Sequence, residues 1–139
     1  MMIDENEWEK FRGAPSAPFD ERIYVTLNRK SQIYLGRHTY ELLGSPSHVE
    51  IYMHRNRESI LIAPATSQTA SSFRVNPKQV GFVILASPFC RHHGIRTETT
   101  IQFVRPEINN DCLKLDLTQT AVLKFEKSRH KKPPENLLQ

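Results

Sequence analysis

Residues 23–53 read IYVTLNRKSQIYLGRHTYELLGSPSHVEIYM, and residues 73–103 read FRVNPKQVGFVILASPFCRHHGIRTETTIQF. Aligned without a gap at an interval of fifty, Ile23, Val25, Ile33, Leu35, Gly44, Ile51 and Met53 meet Phe73, Val75, Val83, Leu85, Gly94, Ile101 and Phe103. Self-similarity at a fixed period signals one supersecondary unit used twice. The apolar frame and the glycine agree between the copies, while the polar positions diverge.

Each copy has the same grammar. A short strand (Ile23–Leu27; Phe73–Asn76) leads through a polar turn to a second strand (Gln32–Leu35; Phe82–Ala86). A short helix follows. In the first copy it spans Arg37–Leu43 and ends at Gly44, which takes a left-handed C-cap at little steric cost. In the second copy Ser87 reads as N-cap and Pro88 as the first helical residue, with the helix running to Gly94. Two further strands close each copy: Val49–Met53 with Ile60–Ala63, and Thr99–Val104 with Cys112–Leu117. HRNRES and RPEINND read as their hairpin turns. Leu113, Leu115 and Leu117 alternate with Lys114 and Asp116, the period of a half-buried strand. TAVLKFE, residues 120–126, reads as one more strand. A unit of this size does not bury its own apolar face, so two units are expected to share one core. The expected fold is mainly β with short helices, from two β-α-β-β repeats (23–64 and 73–117, linker 65–72) in a body spanning 22–126.

The ends differ from the body. Residues 1–21 carry Asp4, Glu5, Glu7, Glu9, Asp20 and Glu21 against Lys10 and Arg12. Trp8 and Phe11 lie three apart, one face of a short helical turn. Gly13, Pro15 and Pro18 then forbid regular structure, so 1–21 reads as an arm that docks through Trp8 and Phe11. KSRHKKPPENLLQ, residues 127–139, reads as a basic flexible tail. The body is basic, thirteen Lys and Arg against eight Asp and Glu, and the whole chain carries +4. No apolar run approaches a membrane span. The acidic N-terminus lacks the order of a secretory signal, which points to the cytoplasm.

Catalytic signatures are absent. There is no G-x-S-x-G, phosphate-cradling glycine loop or H-E-x-x-H, and the carboxylates are scattered. Cys90 and Cys112 read as buried free thiols, and neighbouring His92 and His93 do not aim at one ion with Cys90. The expectation is a protein that is not an enzyme and holds no metal or cofactor.

The pieces QIYL, ELLG, VEIY and ILIAP, in that order, resemble the AbrB-type swapped-hairpin domain. A chain with both copies in tandem is similar to the MraZ arrangement, in which they form one small barrel. The resemblance implies a pseudo-dimer within one chain, or a homo-oligomer. It also implies double-stranded DNA binding by basic residues on the turn and helix face, for transcription control. The bases that lie near the family's positions, though not at them, are Arg29, Lys30, Arg37, His38, Lys78, Arg91 and His92, and the family's paired bases near the helix end are Tyr40-Glu41 and Cys90-Arg91 here. The family's Gly-Arg step is Ser31-Gln32 here, and Gly81-Phe82 in the second copy, and its helix-opening Pro is Gly36. Two other readings stand beside DNA binding. One is an antitoxin-like interaction module that meets a partner through the arm or the tail. The other is a basic scaffold without a nucleic-acid role.

Overall fold

The structure is a computed structural model that describes residues 22–66 and 68–123. The expected arm (1–21) and tail (127–139) lie outside these residues. Strand accounts for 44% of the described chain and helix for 13%, so the molecule is mainly β. The first half forms β1 (Val25–Leu27), β2 (Gln32–Gly36), α1 (Arg37–Leu42), β3 (His48–Met53) and β4 (Ser59–Pro64). The second half forms β5 (Phe73–Pro77), β6 (Gly81–Leu85), α2 (Ser87–His93), β7 (Ile101–Phe103), β8 (Glu107–Asn109), β9 (Cys112–Asp116) and β10 (Thr120–Val122).

The ten strands make one curled antiparallel sheet, a half-barrel, in the order β10-β7-β1-β2-β6-β5-β3-β4-β9-β8. At its centre β2 lies against β6, with Gln32 opposite Leu85, Ile33 opposite Ile84 and Gly36 opposite Gly81. The halves are joined again where β1 pairs with β7, β3 with β5, and β4 with β9. Among the described residues, eight core side chains come from Val25 to Ile62 and eight from Val75 to Leu115. Each half therefore supplies the apolar surface that the other lacks. α1 seals one end: Tyr40 stacks on Phe82 of the other half, centroids 3.7 Å apart, and its hydroxyl donates to the Pro46 carbonyl at 2.8 Å.

Four local expectations are corrected. Ser87 is the first residue of α2 and Ala86 its cap, without a side-chain capping bond. The Ser87 hydroxyl accepts instead from Arg91 Nη1 at 2.9 Å. RPEINND is not the hairpin turn between Thr99–Val104 and Cys112–Leu117: β7 pairs with β1 and β10, β9 pairs with β4 and β8, Glu107–Asn109 is a strand, and Asn109 faces Cys112 across a turn of Asn110 and Asp111. Both turn residues have positive φ, 54° and 63°, as a tight two-residue hairpin requires. The constant interval of fifty does not carry through β6. Leu35 is fully buried, yet Leu85 is 54% exposed, and the core side chains there are Ile84 and Ala86. Lastly, Cys112 is only half-buried, whereas Cys90 is buried; both are free thiols.

Candidate nucleic-acid interface

The β1–β2 turn is built by one side chain. Asn28 Oδ1 accepts from the backbone N–H of Lys30 (2.9 Å) and of Gln32 (3.0 Å), and its amide donates to Gln32 Oε1 at 2.8 Å. An Asn that bonds the backbone two residues on is an Asx turn. The result holds Arg29 and Lys30 at an exposed tip. Ser31 completes the turn at φ 61°, the left-handed region where glycine is at ease. Its carbonyl accepts the Ala86 N–H at 3.0 Å, which ties the turn to the start of α2 in the other half.

α2 then brings its own base. Arg91 is exposed on the helix, one turn beyond Ser87. The chain folds back at Gly94 (φ 68°), with Ile95 N–H donating to the Cys90 carbonyl at 2.8 Å. This return carries Arg96 beside the turn. Arg29, Lys30, Arg91 and Arg96 line one open cleft of about 730 Å³, in which Glu98 is the single lining acid. Cys90 also lines it, but burial pushes its thiol pKa up, partly offset by a hydrogen bond with Ser31, so it is a poor nucleophile.

The seven residues expected from sequence do not form one cluster. Arg29, Lys30 and Arg91 share this cleft. Arg37 and His38 open α1, and Lys78 sits in the β5–β6 turn, where its N–H donates to the Gly81 carbonyl at 2.7 Å. Because Gly36 faces Gly81 while Gln32 faces Leu85, these three belong to the other end of the β2–β6 pair. The two ends are separated by five strand residues, about 16 Å. His92 parts from Arg91 and lines a second cleft of about 690 Å³ with Phe73, Arg74, Leu85, Phe89 and His93. There the pKa of His93 is lowered, first by burial and then by His92 and Arg57. Its Nδ1 is the one buried side-chain polar atom without a hydrogen-bond partner among the described residues. Arg96 is the cleft residue that the pattern of strands and helices missed. The fold-back at Gly94 is the signal that could have found it.

Among the described residues no group of three or more His, Cys, Asp or Glu gathers as metal ligands, and no helix is long and apolar enough to cross a membrane. Comparison with known protein families, curated proteins and solved structures finds no match.

Proposed function

We propose that the chain is a DNA-binding, transcription-regulator-like protein, and that its domain is a swapped-hairpin barrel made within one chain. The observation that carries the activity is the convergence of Arg29, Lys30, Arg91 and Arg96 on one polar cleft with a single lining acid. Four cations held around an open concavity suit phosphate oxygens, which supply most of the affinity for duplex DNA. Strand order supports the barrel. A twofold axis between β2 and β6 exchanges β1 with β5, β7 with β3, and β10 with β4 in the order of the sheet. Each half's first hairpin thereby pairs with the other half's second hairpin, and the β8–β9 hairpin is an insertion between β7 and β10. On this reading the axis would relate the end of the β2–β6 pair that holds Arg29, Lys30 and Arg91 to the end that holds Arg37, His38 and Lys78. Two strand ends about 16 Å apart, each carrying bases, are of the order of the major-groove width of about 12 Å, so one duplex can meet both.

Fluorescence anisotropy with random duplex DNA at two salt concentrations tests this. The native chain is expected to bind more weakly as salt rises. Arg29→Ala with Lys30→Ala should weaken binding and flatten the log–log salt slope by about 0.9 for each phosphate no longer neutralised. Arg37→Ala with Lys78→Ala should do the same from the other end. Arg105→Ala, beyond β7, should leave the slope unchanged. No binding at low salt would sink the proposal.

A further inference from the structure

α2 stands between two clefts of different character. The cleft at Arg29 is polar and cationic. The cleft at His92 has an apolar wall of Phe73, Leu85 and Phe89, with Arg74, His92 and His93 beside it. Leu85 is its anomaly. It ends a strand whose neighbours on either side, Ile84 and Ala86, are fully buried, yet it is 54% exposed. An outward leucine beside two aromatic rings, the Arg74 guanidinium and two imidazoles is a surface that suits an acidic segment carrying aromatic residues.

The chain contains such a segment. Residues 4–12, DENEWEKFR, place Trp8 and Phe11 three apart among Asp4, Glu5, Glu7 and Glu9. We propose that this segment docks in the cleft at His92, with Trp8 and Phe11 against Leu85, Phe73 and Phe89, and its carboxylates toward Arg74 and His92. Complementarity and reach both select it. Residues 1–21 carry −4, six acids against two bases, and the cleft offers the Arg74 cation beside an apolar wall, with no acid in its lining. The cleft at Arg29 offers the cations without the wall. Thirteen residues (8 to 21) join Trp8 to the start of the described body, enough for about 40 Å of extended chain. The far end of β6 is only about 16 Å from the end where β1 begins. An aromatic side chain with a polar handle at the rim of a wet, apolar cleft is the arrangement that interfaces favour. The proposal stands apart from DNA binding, because it uses the other side of α2.

Trp8 is the only tryptophan in the chain, so its fluorescence reports the docking directly. In the native chain of residues 1–139 its emission should be blue-shifted, and iodide should quench it several-fold less than a free tryptophan amide. Leu85→Glu and Arg74→Glu alter exposed side chains and should each red-shift the emission and restore quenching, with the far-UV circular dichroism unchanged. Val104→Glu, 53% exposed in the native chain and outside this cleft, should leave Trp8 protected. Free quenching in the native chain would overturn the proposal, as would protection that survives both Leu85→Glu and Arg74→Glu. Protection that disappears on dilution would assign the docked arm to a second copy and overturn docking within one chain.

Discussion

At the scale of single residues, Thr39 shows how a polar group is accommodated in the core. It is fully buried on α1, and its Oγ1 accepts the Tyr24 N–H at 2.8 Å while its hydroxyl donates to the Tyr24 carbonyl at 3.4 Å. The helix is thereby fastened to the entry of β1. Thr39→Val keeps the shape and removes both bonds. A buried hydrogen-bonding group that loses its partner costs about 1–3 kcal/mol, so urea unfolding should show a loss of that size. A variant within a few tenths of the native value would mean that the fastening contributes nothing. Cys90 makes the opposite point. Its thiol is buried and its pKa raised by that burial, whereas Cys112 is half-buried. Iodoacetamide labelling of the native chain should modify Cys112 well before Cys90, and mass spectrometry of the digest reads the order. Sequence alone offered no means of ranking the two, because exposure depends on which strand face each occupies.

At the scale of elements, the sequence was most legible where an apolar period met a punctuating residue. Gly44 (φ 90°) and Gly94 (φ 68°) end the two helices as their spacing implied. The second strand of each half is legible, and in the first half so is its facing, since Ile33 and Leu35 are buried; in the second half the facing is not. A strand alternates every two residues, so a slip of one exchanges core and solvent faces. The run Phe82-Val83-Ile84-Leu85-Ala86 is apolar throughout and gives no alternation from which to choose. Pairing with β2 chooses, because Ile33 is already inward and Ile84 lies opposite it. β8 escaped notice for a related reason: three residues flanked by Pro106 and Asn110 carry too little period to be seen. Gly81 at the head of β6 is a glycine of a different kind. A Cβ there would sit 2.6 Å from the Leu35 carbonyl and 2.5 Å from the Tyr34 hydroxyl. The tyrosine tip can swing away, but the backbone carbonyl belongs to the central ladder and does not yield cheaply. Gly81→Ala should therefore destabilise by about 1–3 kcal/mol, the range for forcing extra volume into a packed site. Thermal denaturation reads it. A variant as stable as the native chain would show that the β2–β6 ladder is loosely held.

At the scale of the whole molecule, the consequence of the strand order is cooperativity. Four of the nine strand pairings join one half to the other: β1 with β7, β2 with β6, β3 with β5, and β4 with β9. Neither half has a sheet of its own to fall back on, and the core draws equally on both. The same interlocking makes the candidate interface composite, since its turn comes from the first half and its helix from the second. This is why the basic residues were visible in the sequence but their grouping was not: Arg29 and Arg91 are brought together by long-range pairing, which no local pattern encodes. Unfolding should accordingly be a single transition, with the calorimetric enthalpy equal to the van't Hoff value. Ile84→Ala, at the central ladder, removes a fully buried side chain and should cost about 2–5 kcal/mol. For a domain of about 100 residues each kcal/mol is worth roughly 4–8 °C, so the whole transition should move down as one. If the halves were independent, Ile84→Ala would split the curve and leave residues 22–66 melting at the native temperature. A split curve would overturn the interlocked reading, and with it the idea that the sheet fixes the turn of one half against the helix of the other at the basic cleft.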